Sequence, residues 1–411
     1  MPSRAATSTL HDTRTAAHEL ADRLEAALGP GPPAGLLVVA SFHHRAALPE
    51  AFELLRGTLR PHAAVAVTTV GVVGEGCLHE GVPAMAALLL DEPGLEAAAV
   101  RITPDDGPPA TWSDERRTAL LGGGLAAGFQ TMLWADPFSS DPPGLAAVGA
   151  GVLVHGGVLS GSSQAGGNTL IAAASMQAPS ISPEGAVGLA FRGVGATAIS
   201  GPGARPIGPP AIVTAADGSR LLGLGGRPAL EVLREALESS GELGSLEDEA
   251  PMGGLAIGVA IEEHRPDGHP PICRLRPLTG IVGLRRNGAE GGMPALRLAE
   301  PIRPGRTVRF FLRDAAWAAK TFSERLRAHR IDLDAHPAVV VAVSTARELE
   351  PTRTDGTGIR EHPLPELGGA GGVGLRTAGE FVQLGGRSDL DTLSASTLCF
   401  DGPPALGPAL G

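Results

Sequence analysis

The sequence predicts a mixed α/β protein that is rich in turns. Of its 411 residues, 43% are apolar, which is enough for sizeable cores, and its 58 Gly and 36 Pro show no collagen-like period. Short apolar runs typical of buried strands alternate with segments of helical spacing along the chain. The length favours two or three domains. Aromatic residues are scarce, with 10 Phe, 3 Trp and no Tyr, so we expect cores of Val, Leu, Ile and Ala.

The first quarter of the chain contains clear helix and strand signals. Apolar residues at helical spacing predict a helix over residues 11–28, and a Gly- and Pro-rich linker follows it. The apolar run at residues 36–42 predicts a buried strand, and a proline at its first position favours a helix over residues 49–60. Two further strands, at residues 64–73 and 83–91, flank a glycine-rich turn.

Strand and helix signals continue to the end of the chain. Helices are predicted over residues 113–124 and 228–241, and short apolar runs separated by glycine and serine turns lie between them. A polar connector at residues 239–254 suggests a nearby domain boundary. The apolar runs LLVVAS and AVVVAVS each follow a helix and end in serine, which suggests two related halves.

The charge pattern disfavours nucleic acid as a partner. The chain has 33 basic and 44 acidic residues, a net charge of −11, and a single lysine, Lys320. It therefore lacks the basic face of a duplex binder, and no aromatic platform lies among basic residues. Three cysteines form no pair with disulfide or zinc spacing, and neither a secretory signal nor a membrane-spanning run is found. We therefore expect a cytoplasmic protein without membrane insertion.

The glycine-rich turn carries a cysteine, a histidine and a glutamate. Cys77, His79 and Glu80 are too close in sequence to complete a tetrahedral metal site, although His43 and His44 could add ligands if the fold brings them near. The alternative is that Cys77 is a small apolar residue, with His79 and Glu80 on a solvent-facing turn. We favour this second interpretation.

Other motifs for catalysis are incomplete. A Walker loop is excluded because no lysine follows a glycine-rich run. Ser163 has a glycine two residues before it but alanine two residues after it, so it departs from the nucleophile elbow of serine hydrolases. It remains the candidate nucleophile for a hydrolase. Cys273 is the candidate reactive thiol, since the neighbouring Arg274 and Arg276 would lower its pKa if it were exposed.

The segment GARPIGPP is the most constrained loop of the sequence. Its prolines fix φ, and its glycines permit tight turns around Arg205. A rigid arginine suits a carboxylate or another small anion, because little entropy is lost on contact. The alternative is an arginine that pairs with an acidic neighbour in an interdomain crossover.

Several of these segments, in this order, resemble the FIST sensory module, an N-terminal FIST domain followed by a C-terminal one. They are residues 65–90, 185–193 and 203–233, followed by RPLTGIVG, IRPGRTVRFFLRDA and GEFVQLGGRSDLDTLSASTLCF. The resemblance covers residues 34–400. It departs at Ala204, where the family often has cysteine, and at Leu390-Asp391, where it commonly has Leu-His.

The resemblance implies two related domains of mixed β-sheets covered by helices, with a cleft near their junction. An N-terminal helix and linker would occupy residues 1–33, the N-terminal FIST domain residues 34–227 and the C-terminal FIST domain residues 228–411. It also implies a bacterial-type, non-enzymatic sensor of a small molecule, amino-acid-like or another small anion, that signals to a separate partner protein.

We expect Arg205 to anchor the ligand, and the full set of predicted ligand contacts is Arg205, Pro206, Gly208, Cys77, His79 and Ser160. No cofactor is required. An alternative within the same family is a haem-binding nitric oxide sensor, whose axial ligand would come from His79, His43, His155 or Cys77. The other alternative is a serine hydrolase that uses Ser163. Neither the ligand, the partner protein nor the oligomeric state is predicted.

Overall fold

The structure, a computed structural model, describes residues 4–125, 128–147, 152–175, 177–241, 254–262, 272–282, 294–328, 338–344, 360–363, 372–384, 387–391 and 393–400. These residues form mixed sheets covered by helices, which confirms the predicted mixed α/β fold. Their α-helices are α1 (Thr13–Glu25), α2 (Leu48–Leu59), α3 (Asp114–Gly122), α4 (Pro142–Ala146), α5 (Ala229–Ser240) and α6 (Ala315–Ala328).

Local sequence explains where the helices begin and end. The Asp12 carboxylate accepts a hydrogen bond from Thr15 N at 2.7 Å and caps α1, and Ser113 Oγ caps α3 in the same way. Helix α5 ends at Gly241, whose φ of 79° is left-handed. The structure confirms the helices predicted at residues 11–28, 49–60, 113–124 and 228–241.

The chain divides by packing into two compact units. Unit 1 comprises residues 1–201, 319–390 and 394–411, and unit 2 comprises residues 202–318 and 391–393. In chain order, unit 2 is thus an insertion within unit 1. The boundary predicted between residues 227 and 228 separates two domains of the FIST module in the sequence, whereas the two units are defined by packing. It stays a prediction, as does the cleft near it.

Unit 1 contains two sheets. In order across the sheet, the first contains β1 (Ala5–Ser8), β6 (Met85–Leu90), β2 (Gly35–Ser41), β3 (Ala63–Thr69), β10 (Leu170–Ala174) and β11 (Ser180–Ser182). The second contains β13 (Ala196–Pro202), β25 (Ser394–Phe400), β21 (Ala338–Ser344), β23 (Gly372–Leu384), β9 (Val154–Leu159), β8 (Gln130–Ala135), β12 (Ala186–Arg192) and β7 (Glu96–Ile102). Four strands branch from it: β4 (Gly71–Gly74), β5 (Cys77–Glu80), β22 (Arg360–Pro363) and β24 (Arg387–Asp391).

Five strands of each sheet follow the same order, and the last four of them also follow the same directions. The order is β1-β6-β2-β3-β10 in the first sheet and β13-β25-β21-β23-β9 in the second. In both, the third strand is antiparallel to the second and parallel to the fourth, and the fifth is antiparallel to the fourth. Even the register agrees, because Ser41 lies opposite Thr69 and Ser344 lies opposite Thr377. The similarity of LLVVAS and AVVVAVS therefore reflects a repeat within unit 1.

Burial on both faces explains the continuous apolar runs of the first sheet. Leu37 and Val65 belong to a core shared with Trp134 of the second sheet. On the opposite face, Leu36 lies in a core with Phe52 of α2 and residues of α1. The far face of the second sheet is covered by α3, α4 and α6. Unit 1 is therefore layered as helices, sheet, sheet and helices.

The described residues of unit 2 form a seven-stranded sheet with its own core. Across the sheet, the strands are β14 (Ala204–Asp217), β20 (Thr307–Arg313), β17 (Leu255–Glu262), β18 (Ile272–Val282), β19 (Ala295–Leu298), β15 (Arg220–Leu224) and β16 (Arg227–Pro228). Helix α5 covers it, and Leu233 and Leu237 of the helix lie in one core with Ile257 and Phe310 of the sheet.

Candidate functional site

Three distant segments of unit 1 meet at one backbone carbonyl. Thr69, the last residue of β3, and Ser160, which directly follows β9, both donate hydroxyl hydrogen bonds to the carbonyl oxygen of Arg376 in β23, at 2.7 and 2.6 Å. The two hydroxyl oxygens lie 3.3 Å apart. Ser160 is one of the residues predicted to contact a ligand. These contacts join it to the backbone of Arg376, a charged residue that the sequence did not single out.

The charged side chain is the buried guanidinium of Arg376, which is 7% exposed. It donates to the carbonyl oxygen of Ser344, at the end of β21, and its Nη2 lies 3.5 Å from Glu80 Oε2. Burial lowers the pKa of Arg376, while Glu80 and Glu380 act in the opposite direction. An arginine nevertheless stays protonated, so the site contains a buried cation held by a partly exposed carboxylate.

A buried carboxylate lies on the same strand as this cation. Glu380 is fully buried and accepts hydrogen bonds from the hydroxyls of Thr377 and Ser394. The pairing of β23 with β9 shifts register between Thr377 and Gly379. Such bulges redirect side chains and are common next to functional sites. We refer to Thr69, Glu80, Ser160, Arg376 and Glu380 as the Arg376 cluster.

The cysteine, histidine and glutamate of the glycine-rich turn lie on a strand. The turn itself consists of Glu75 and Gly76, whose positive φ angles of 52° and 74° form a two-residue hairpin between β4 and β5. His79 is 8% exposed within β5, which pairs with β4 and β22. The interpretation of His79 and Glu80 as a solvent-facing turn is therefore wrong, because β5 is a paired strand of the second sheet and Glu80 contacts Arg376.

The other histidines proposed as haem ligands have different surroundings. His43 is exposed in a short 3₁₀ helix (Phe42–Ala47). His155 is buried, its Nε2 lies 2.9 Å from Gln130 Oε1, and burial lowers its pKa to about 4. It borders a cavity of about 20 Å³, which is large enough for one water molecule but far below the several hundred Å³ of a cofactor pocket. The residues around His155 therefore do not fit a haem.

The predicted anchor, Arg205, lies in β14 of unit 2 and has an acidic partner. Its Nε donates to Asp314 Oδ2 at 2.9 Å, and Asp314 Oδ1 accepts from Trp317 N. This ion pair is the alternative that the sequence left open. Pro206 lies next in β14, and Gly208 adopts a φ of 60° with its Cα against α5. These three residues belong to unit 2, whereas Cys77, His79 and Ser160 belong to unit 1.

The two candidate nucleophiles differ in exposure. Ser163 is exposed in the loop that joins β9 to β10. Cys273 is half-buried, and burial raises the pKa of its thiol, although Arg309 opposes this shift. The lowered pKa was expected only for an exposed thiol, and because Cys273 is half-buried, desolvation of the thiolate is the larger effect.

Comparisons with known proteins identify the N-terminal module. The model of the FIST N domain matches residues 35–227. An uncharacterized protein of Mycobacterium tuberculosis (strain H37Rv) is 28% identical over 421 residues, which cover 96% of this chain and 98% of that protein. An uncharacterized protein of Mycobacterium bovis is 30% identical over 283 residues, which cover 66% of this chain and 64% of that protein.

The family assignment agrees with what the fold contains. The FIST domain is a sensory module of signal transduction. None of the helices in the described part of the chain combines the length and hydropathy needed to cross a bilayer. Residues 35–227 contain the strands and hairpin that contribute Thr69, Glu80 and Ser160 to the Arg376 cluster. Residues 35–227 of this chain are a FIST N domain.

Proposed function

We propose that this chain is a non-enzymatic sensor that binds a small carboxylate, such as an amino acid, at the Arg376 cluster and signals to a separate protein. The observation that carries the proposal is the buried guanidinium of Arg376, whose carboxylate partner Glu80 lies 3.5 Å away and is 28% exposed. A buried arginine forms short, bidentate contacts with carboxylates. A ligand carboxylate would therefore compete with Glu80 for this cation.

The hydroxyl groups of the cluster support binding rather than nucleophilic chemistry. Thr69 and Ser160 both donate to a backbone carbonyl, so their protons hold the strands together. A nucleophilic hydroxyl instead needs a general base that accepts its proton. The sensory role of the family supports the same conclusion.

Displacement of Glu80 provides a route from binding to signalling. Glu80 is the last residue of β5, and the β4–β5 hairpin is fixed to β23 by strand pairing and by the contact with Arg376. A ligand that replaces this contact would favour hairpin conformations in which Glu80 faces solvent. A partner protein that binds one hairpin conformation would then respond to the ligand.

Isothermal titration with acetate, L-alanine and L-glutamate as probes tests this site. We expect Arg376→Lys to weaken carboxylate binding about tenfold or more, because lysine cannot make the bidentate contact. Glu80→Gln should strengthen binding, since it removes the competing carboxylate. The matched control is Arg205→Lys, which should leave affinity unchanged.

Circular dichroism establishes whether each variant is folded. If Arg376→Lys does not fold, the affinity of Glu80→Gln still tests the site. Loss of binding in Arg205→Lys alone would restore the anchor role predicted for Arg205. That result, or the absence of binding by all three probes, contradicts a carboxylate site at Arg376.

A further inference from the structure

A second pocket lies in unit 1, at the carboxyl ends of β7 and β8. Its volume is about 280 Å³, close to the lower end of the range for small-molecule sites. One wall is apolar and includes Pro104, Pro109 and Trp112. Carboxyl ends of strands in open sheets are common ligand positions. The residues of this pocket lie outside the Arg376 cluster.

The hydroxyl groups that line the pocket use their protons within the protein. Ser139 Oγ donates to Asp136 Oδ2 at 2.7 Å, and Ser140 Oγ donates to the carbonyl oxygen of Asp136. Thr103 Oγ1 donates to Asp106 Oδ2 at 2.9 Å. Each hydroxyl has one proton, so the remaining capacity of these oxygens is to accept hydrogen bonds.

The indole and the carboxylate of the pocket add to this acceptor character. Trp112 Nε1 donates to the carbonyl oxygens of Asp106 and Gly107, at 2.9 and 3.2 Å, so its N–H is also used within the protein. Asp141 lines the pocket and is exposed. One of its oxygens accepts from Gly144 N at 3.1 Å, and a carboxylate has capacity for further donors. Two nearby cations have partners of their own: Arg116 pairs with Asp106 at 3.2 Å, and Arg101 donates to the carbonyl oxygen of Glu184 at 3.4 Å.

The polar wall is also held in place before any ligand arrives. Asp136 is fully buried and accepts from the backbone N–H groups of Phe138 and Ser139 as well as from Ser139 Oγ. Its second oxygen accepts from Asn168 Nδ2 at 2.8 Å. Because these bonds fix the loop at residues 136–141, little conformational entropy is lost when a ligand binds.

We propose that this pocket binds a small organic ammonium ion with an apolar body. A protonated primary amine carries three N–H donors and one positive charge, which complement the oxygens of Thr103 and Ser140 and the carboxylate of Asp141. The apolar body would lie against Trp112 and the prolines. This activity is separate from carboxylate sensing at Arg376.

Cyclohexylammonium is a suitable probe, because it carries a positive charge and no carboxylate. We expect it to bind in isothermal titration at least tenfold more tightly than the neutral cyclohexanol. Asp141→Asn should reduce its affinity about tenfold while preserving the fold, since asparagine also caps helix N-termini. Asp217→Asn is the matched control, because Asp217 is a 73% exposed carboxylate of unit 2. Arg376→Lys should have no effect on this probe.

Equal affinity for cyclohexanol and cyclohexylammonium would overturn the charge preference. Unchanged affinity in Asp141→Asn would overturn the role of the carboxylate. If cyclohexylammonium does not bind at millimolar concentration, the pocket is not an ammonium site.

Discussion

Desolvation determines the protonation state of His155, a buried histidine of unit 1. His155 is 4% exposed, and the charged form of an imidazole is unfavourable there, which lowers its pKa to about 4. The ring is therefore neutral near pH 7 and pairs with Gln130. The same effect keeps Cys273 protonated, because burial raises the pKa of its thiol. Cys273 is thus not in the thiolate form that a reactive thiol would require.

The low pKa of His155 predicts a pH-dependent stability. The folded pKa of about 4 lies below the unfolded value of 6.5, so the unfolded chain binds more protons between these values. The free energy of unfolding should therefore decrease as the pH falls from about 6.5 to about 4, by up to about 3 kcal/mol from this residue. His155→Gln should show a shallower pH dependence in urea unfolding, whereas His18→Gln, at an exposed position, should not. If the free energy of unfolding changed with pH equally in the wild type and in His155→Gln, the predicted contribution of His155 would be contradicted.

At the scale of secondary structure, local sequence patterns predicted the helices and the buried strand β2, but they did not predict contacts between residues that are distant in sequence. Helices α1, α2, α3 and α5 were predictable because their apolar spacing and, in α3 and α5, a C-terminal glycine lie within a few residues of each other. The buried strand β2 was predictable because it is apolar on both faces. The Arg376 cluster was not, since Thr69 and Arg376 are 307 residues apart and no local pattern shows that β3 and β23 meet. The signal that was available is a charged pair, Arg376 and Glu380, inside an apolar strand pattern.

The register shift in β14, between Ile207 and Ala211, requires a glycine at position 208 for two separate reasons. Gly208 has a φ of 60°, and a Cβ there would lie 2.8 Å from Ala236 Cβ of α5. Gly208→Ala should therefore lower the free energy of unfolding by about 2 to 4 kcal/mol, from left-handed strain plus overpacking.

The control for this substitution is Gly218→Ala. Gly218 has a similar φ of 56° but nothing within 4 Å of an added Cβ, so strain alone should cost about 1 to 2 kcal/mol. Chemical denaturation measures both values. If both variants lowered the free energy of unfolding by the same amount, the contact with α5 would make no contribution to the effect of Gly208→Ala.

At the scale of the whole molecule, the two units have separate hydrophobic cores. Leu233 belongs to the core of unit 2, and Leu55 belongs to the core between α2 and the first sheet of unit 1. Both side chains are fully buried. A chain with several cores generally does not unfold in a single two-state transition.

Thermal unfolding followed by calorimetry should therefore show two transitions. Leu233→Ala and Leu55→Ala should each destabilise their own core by about 2 to 5 kcal/mol. We expect each variant to shift a different transition to lower temperature. A single transition that both variants shift equally would show that the two cores unfold together.

Because unit 2 is inserted within unit 1, the second sheet of unit 1 cannot be completed until unit 2 has been translated. Strand β9 pairs with β8 on one side and with β23 on the other, and β4 also pairs with β23. While the ribosome is still translating unit 2, β9 and the hairpin have no β23 to pair with, and β9 presents an open edge. Unpaired edges recruit strands from other chains, so a nascent chain stalled before residue 372 is the form in which this protein is most exposed to aggregation.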